Sequence, residues 1–342
     1  MKLFRNRSEE KDLTKKRSDA KKIKKIAFLD PGQGSGSVFV GMGLDLWLNS
    51  PKAREVFTEA DERLGRPFSQ LCFFGPEEEL LKTANAQLAC FITSTAYSRA
   101  YGEFNGFKGE NADFFAGHSA GLYAAYVEGG VISFPLALRI VDERGKLMDE
   151  ACRKYPGKMI ILLNPRSPEE VMSLVKELGL GGLYNSSSQI VLSGSLKQIE
   201  DAKKIINEKR LGRIFPEDKF KTQGAFHSPC MEGAKKYLAK YLSPLIFNDP
   251  AKPIVANSKA KFIKSGEEAK QELIDHMDRM VYWHPGMELL VLHGTKKFIE
   301  VGSGEVLTNN LKRSFGRKVK IISLSSALRK SFSMFFKKKP RR

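Results

Sequence analysis

Two hydrophobic rhythms run through the chain. Apolar runs of roughly four to eight residues, bounded by glycine, proline or charge, read as buried strands, and longer stretches with apolar residues three and four apart read as helices. Residues 25–30 give the first strand, Ile-Ala-Phe-Leu between Lys25 and Asp30. It enters the loop Pro31-Gly32-Gln33-Gly34-Ser35-Gly36. Helical spacing follows at 42–48, at 52–64 and twice within 76–102. Phe114-Phe115-Ala116 ends another strand, and a helical stretch runs on to Val127. A helix over 135–152 has Pro135 in its first turn, where a missing N–H costs nothing.

The rhythm then changes. Residues 159–163 read as a strand, and Ser167 caps a helix with Glu169 and Glu170 in its first turn. A hairpin at 183–193, a helix at 196–209 and a strand at 212–216 complete the order βαββαβ, that of a ferredoxin-like unit. It interrupts a larger α/β layer, which resumes with helices at 230–241 and 267–280 and strands at 253–257, 297–301 and 319–324. The expected division is a discontinuous body of 25–155 and 223–328, a small subdomain of 156–222, and tails at 1–24 and 329–342.

Charge changes this picture only at the ends. The net charge is +18, but residues 1–25 hold eleven Lys/Arg against four acids and residues 329–342 hold seven Lys/Arg and no acid. About +4 remains for the body, which suits an enzyme of anionic substrates rather than a specific nucleic-acid binder. The terminal segment Ser331-Phe332-Ser333-Met334-Phe335-Phe336, followed by five cations, and a weaker copy at Met1–Arg7 suit weak contact with an anionic bilayer or an acidic protein. A solvated tail is the simpler reading. The N-terminal stretch has no apolar core of a secretory signal, and its four acids argue against a transit peptide. Cys72, Cys90, Cys152 and Cys230 are scattered among apolar or helical neighbours, as buried free thiols of a cytoplasmic protein would be. Neither they nor the five histidines show metal-ligand spacing. No run of about 18 apolar residues is present.

The chemistry concentrates at Gly117-His118-Ser119-Ala120-Gly121. A serine bracketed by glycines between a strand and a helix is a nucleophile elbow: the turn is strained, and strand and helix pack too closely for side chains. Such a turn lifts the Ser119 hydroxyl out of the sheet and offers the Ala120 amide to a developing oxyanion. The loop at 31–36 also presents backbone amides, but it lacks the lysine of a phosphate loop and the third glycine of a dinucleotide fingerprint. A serine nucleophile needs a base. His118 adjoins the serine and would point away from it, while His276, His284 and His293 carry no local signal. His227, in the tight loop Gly224-Ala225-Phe226-His227-Ser228-Pro229, could reach the elbow or be structural. No carboxylate declares itself as a third member.

Seven motifs in order give a family resemblance: Pro-Gly-Gln-Gly-Ser (31–35), Asn-Ala-Gln (85–87), Gly-His-Ser-x-Gly (117–121), Arg-Gly-Lys-Leu-Met (144–148), Tyr-Asn-Ser with Gln-Ile-Val-Leu-Ser-Gly (184–194), Ala-Phe-His-Ser-Pro (225–229) and Val-Gly-x-Gly-x-Val-Leu-Thr (301–308). With these, residues 25–328 resemble the malonyl-CoA:acyl carrier protein transacylases of fatty-acid synthesis and the acyltransferase domains of polyketide synthases. The resemblance implies an α/β-hydrolase-like large subdomain with an inserted ferredoxin-like one and the cleft between them. It implies Ser119 as nucleophile, His227 as base, and the amides of Gln33 and Ala120 as oxyanion hole. Arg144 would hold the malonyl carboxylate, where a planar fork suits better than lysine. Phe226, which would disfavour a 2-methyl branch, and His118 would lie beside the substrate. The base would be oriented by a backbone carbonyl near His276, where relatives usually have glutamine; Ser228 and Asn185 would serve packing and loop hydrogen bonds. The partners implied are malonyl-CoA and acyl carrier protein, with no cofactor of the enzyme's own, and the expected assembly is a monomer.

Three positions depart from the family pattern: Leu122 stands where glutamate is usual, Gly36 where glutamine is usual, and Asp30 where an apolar residue precedes the proline. Two other functions fit the same chain, an editing acyl-thioester hydrolase and a non-catalytic carrier-protein-binding subunit. Arg144 weighs against the first, because a monoacyl group has no carboxylate to hold. The joint presence of Ser119, His227 and Arg144 weighs against the second.

Overall fold

A computed structural model describes residues 25–34, 36–103, 111–219 and 224–329. The N-terminal tail and the aromatic-basic C-terminal segment singled out above lie outside the described residues.

The larger layer is a six-stranded sheet. It contains β1 (Lys25–Asp30), β2 (Phe114–Gly117), β7 (Ile254–Val255), β8 (Phe262–Ile263), β9 (Thr295–Glu300) and β10 (Lys320–Ser323), in the order β10-β9-β1-β2-β7-β8. All neighbours are parallel except β7 and β8. A parallel sheet is covered on both faces, so its strands are apolar on both sides. On β1, Phe28 faces the core formed with the helices Thr83–Ala100, Leu122–Glu128 and Phe134–Lys154, while Ala27 and Leu29 face Trp283–Leu292 and Val306–Phe315. Thr83–Ala100 is buried around nearly its whole circumference, which is why it has no polar stripe. It crosses Phe134–Lys154 so closely that a side chain at Gly145 would lie 2.6 Å from the Cα of Ala84.

The smaller sheet contains β3 (Gly157–Leu163), β4 (Gly181–Ser186), β5 (Gln189–Ser195) and β6 (Arg213–Ile214), antiparallel throughout, in the order β4-β5-β3-β6. Pro168–Glu177 and Leu196–Glu208 bury Val171, Leu174, Ile199, Ala202 and Ile206 against Ile160, Leu162, Ile190 and Leu192. Ser195 starts the second of these helices with a full capping box to Gln198. The small sheet meets the larger body along β4: Val281 donates to the Gly182 carbonyl (2.9 Å) and accepts from the Tyr184 amide (2.8 Å), so the edge of the small sheet is paired.

Several elements differ from the sequence pattern. The helix expected from 42 begins at Leu44, because Gly43 adopts φ 79°. The helix expected to run to 280 stops at Asp275, where the His276 ring nitrogen Nδ1 bonds the Glu272 carbonyl that ends the helix. Helices at Phe68–Phe74 and Trp283–Leu292 had no periodicity to announce them. Cys72 and Cys90 are buried, whereas Cys152 and Cys230 are half-buried at the edge of the core. Among the described residues no helix is long and apolar enough to cross a membrane.

Candidate active site

The site begins where β1 and β2 end side by side. Ser119 adopts φ 52°, a left-handed conformation that a non-glycine residue holds only when its surroundings enforce it. A Cβ on Gly117 would lie 2.1 Å from the Gly121 carbonyl carbon, and one on Gly121 would lie 2.1 Å from the Asp30 carbonyl oxygen. Asn257, just beyond β7, ties the turn from both sides: its Oδ1 accepts from the Ser119 amide and its Nδ2 donates to the Gly117 carbonyl, both at 2.8 Å. The glycine-rich loop presses against this elbow, since a Cβ on Gly32 would lie 2.2 Å from the His118 oxygen and 3.4 Å from the Ala120 amide. Gln33 and Ala120 therefore sit on adjoining backbone segments; the Gln33 side chain reaches Thr83 Oγ1 at 3.4 Å.

His227 is brought to this elbow from the other layer. Its Nε2 lies 2.7 Å from Ser119 Oγ and its Nδ1 lies 2.6 Å from the His276 carbonyl oxygen. A carbonyl only accepts, so Nδ1 carries the proton and Nε2 offers its lone pair to the serine. His276 is also the C-cap residue of the helix Gly266–Asp275, whose C-terminal end carries partial negative charge suited to a transient imidazolium. The small sheet holds the loop: Ser193 Oγ on β5 donates to the Phe226 carbonyl (2.6 Å) and the Gly182 amide on β4 donates to the His227 carbonyl (2.9 Å). His227 has φ 56°, and no side chain fits at Gly181, where a Cβ would lie 1.8 Å from the His227 oxygen. Phe226 is partly buried against the core, and Ser228 Oγ closes the loop on the Ala225 carbonyl (2.7 Å).

Arg144 is fully buried, with no carboxylate among its described partners. The close crossing at Gly145 sets it beside Gln87, whose Oε1 accepts from Nη1. Nη2 lies 3.3 Å from Ser119 Oγ and 3.4 Å from His276 Nε2, Nε has no partner among the described residues, and the Tyr123 ring lies 5.8 Å from the guanidinium. Burying a cation without a counter-charge is expensive. Here burial lowers the Arg144 pKa, with Tyr123 opposing the shift. The arrangement is a ready receptor for a small anion next to the serine.

His118 is turned elsewhere. Its Nε2 bonds Asn185 Oδ1 on β4 at 2.9 Å, its ring meets the edge of Trp283, and it makes no hydrogen bond to Ser119. Asp30, beneath the elbow, is completely buried with neither carboxyl oxygen hydrogen-bonded among the described residues, and burial together with Glu128 pushes its pKa up. Sequence reasoning gave no role to Asn257, Gln87 or Tyr123. Gln87 lies within a motif quoted above, and Asn257 is legible only as a polar residue closing a short apolar run.

Burial, reinforced by the neighbouring His276 and by the charge of Arg144, holds the His227 pKa well below its ordinary 6.5. Burial also lowers His118, and burial with Arg144 lowers His276 to about 3. His227 thus stays neutral through mildly acid solution, and if it acts as base the acid limb of kcat/KM is expected below pH 6.5 in a profile taken from pH 5 to 8. A folded-state pKa below the unfolded value means that the folded protein binds fewer protons. The stability these three histidines confer is complete above about pH 6.5 and is lost as pH falls through their folded values. Ring-proton NMR titration should show these imidazoles still neutral below pH 6.5; protonation at the ordinary imidazole value would contradict their burial.

A strained serine on a strand–helix turn with a neutral histidine in contact with it defines a serine acyl-transfer fold of the α/β-hydrolase kind. The profile of the acyl transferase domain matches residues 27–339, and the chain belongs to that family. A malonyl CoA-acyl carrier protein transacylase of Bacillus subtilis (strain 168) is 36% identical over 309 residues, covering 89% of this chain and 94% of that protein. Its counterpart in Escherichia coli (strain K12) is 32% identical over 293 residues, covering 84% and 92%. Among solved structures, an acyl carrier protein S-malonyltransferase of Vibrio cholerae matches with a TM-score of 0.80 at 30% identity, covering 87% of this chain and 96% of that one. A malonyl-transacylase in complex with its type II PKS acyl-carrier protein matches with a TM-score of 0.79 at 31% identity, covering 90% and 99%.

Proposed function

We infer that this chain moves a malonyl group from malonyl-CoA to the phosphopantetheine thiol of acyl carrier protein. The observation that carries the substrate class is the buried, uncompensated Arg144 guanidinium 3.3 Å from Ser119 Oγ. The Ser119 hydroxyl attacks the thioester carbonyl while His227 Nε2 takes its proton. The amides of Ala120 and Gln33 receive the oxyanion. Collapse of the tetrahedral intermediate breaks the carbon–sulfur bond, His227 returns the proton to the departing CoA thiol, and a malonyl ester remains on Ser119. Arg144 holds the free carboxylate throughout. The carrier thiol then attacks the ester, His227 taking its proton and returning it to Ser119.

The closeness of Phe226 to the base supports malonyl over a 2-methyl-branched group. The body is assigned to 25–155 and 223–328 and the insert to 156–222, with the enzyme a cytoplasmic monomer whose basic tails serve no specific nucleic acid.

Intact mass tests this directly. Malonyl-CoA should add one malonyl mass to the enzyme, and holo-acyl carrier protein should then remove it and become malonylated. Loss of the mass to water at the same rate without carrier would favour the hydrolase, and no mass gain would favour the non-catalytic subunit.

A further inference from the structure

Among the described residues, the cation at the centre of the site is held by neutral groups alone. A guanidinium has five N–H donors, and the partners of Arg144 are the amide oxygen of Gln87, the hydroxyl of Ser119 and the imidazole of His276. The tautomer of His276 follows from its surroundings. Nδ1 faces the Glu272 carbonyl at 2.9 Å and carries the proton, which leaves Nε2 with a lone pair facing Arg144 Nη2 at 3.4 Å. The same residue offers its main-chain oxygen to His227 Nδ1. One C-cap residue therefore contacts both the base and the carboxylate receptor, through different atoms.

We propose that the His276 imidazole is a positioning residue for substrate selection: it fixes the Arg144 guanidinium as a neutral acceptor and so leaves the full positive charge for the malonyl carboxylate. A carboxylate in its place would satisfy the arginine and neutralise it. An apolar residue would leave Nη2 with only Ser119 to hold it, free to turn its donors away from the acyl pocket. Gln87 supplies the second neutral acceptor, so the fork is held at two nitrogens while Nε stays unpaired. The proposal rests on the malonyl-transfer reading above, and it assigns the selectivity of that reaction partly to a residue that need not touch substrate.

The test uses three variants of the full chain, with malonyl-CoA, acetyl-CoA and free malonate as probes. His276→Leu should raise the KM for malonyl-CoA about tenfold or more, consistent with loss of a hydrogen bond to a charged group. Its loss on malonyl-CoA should exceed its loss on acetyl-CoA by a similar factor. His276→Gln offers an amide oxygen and should recover malonyl selectivity to within about threefold. His276→Glu tests the neutral-acceptor requirement independently of the leucine variant's folding, and should erase the preference for malonyl over acetyl. Equal loss on both acyl groups in the leucine variant overturns the proposal. So does a glutamine variant with the parent's thermal transition but the leucine variant's KM, or a glutamate variant that keeps the malonyl preference. Malonate binding by calorimetry separates this idea from the transfer reading. A parent that binds malonate, with the variants weakened in the same order, but forms no acyl-enzyme would overturn the transfer reading and support this one. A parent that binds no malonate overturns the proposal.

Discussion

Ser119→Ala is expected to take up no malonyl mass from malonyl-CoA and to turn over at least about 10⁴-fold more slowly than the parent, the scale of loss when a serine nucleophile is removed from a preformed site. The argument is geometric. Ser119 Oγ lies 2.7 Å from His227 Nε2 and 3.3 Å from Arg144 Nη2, so the proposed base and anion receptor meet at one hydroxyl. The left-handed turn belongs to the backbone and is held by Asn257 and by the glycines on either side, so alanine should leave the elbow folded. Loss of activity with an unchanged thermal transition would then be chemical. A Ser119→Ala protein that becomes malonylated as readily as the parent would show that another residue is the nucleophile.

Arg144→Ala should separate the two acyl groups. Removing a buried, charge-assisted contact to a carboxylate costs about 2–4 kcal/mol, or roughly 30- to 1000-fold in kcat/KM for malonyl-CoA. Acetyl-CoA presents no carboxylate and should lose far less, or gain from the removal of a buried cation. Acylation measured with both thioesters decides the matter: parallel losses would make Arg144 a structural residue. The expected change is in selectivity rather than in folding, because the guanidinium is costly to bury and forms no ion pair among the described residues.

How much of this the sequence disclosed depends on where each constraint resides. The elbow was legible because its glycines are demanded locally, by a turn and a close approach between neighbours in the chain. The βαββαβ order of the insert was legible for a similar reason, since each element carries its own periodicity and caps. Its tight loop set His227 apart from the other four histidines but left it equally readable as structural, because the group that orients it is a main-chain oxygen, which leaves no trace in side-chain spacing. Arg144 shares its helix with Arg139 and Lys146, and what distinguishes it is a helix crossing at Gly145 that no single-helix pattern contains. Asn257 stayed hidden because its two partners are backbone atoms about 140 residues earlier in the chain. The helix expected to run to 280 was overextended because its periodicity continues past the point where the His276 ring bonds the Glu272 carbonyl.

Ser119 rides on the large sheet, while His227, its proposed base, hangs from a loop bolted to the small one by Ser193 and Gly182. Between them runs a ladder of bonds from β4 through Val281 and Tyr282 to Asn257, which grips the elbow itself. The gap between serine and base therefore works as a calliper reading how the two layers are seated. A proton moves only when its acceptor is within hydrogen-bond reach, so a displacement of about an ångström between layers would idle the enzyme with every side chain intact. The insert contributes no reacting atom, yet substitutions on its far face can tune the rate through mechanical linkage alone. Selection acting on turnover would thus bear on residues that no substrate ever meets.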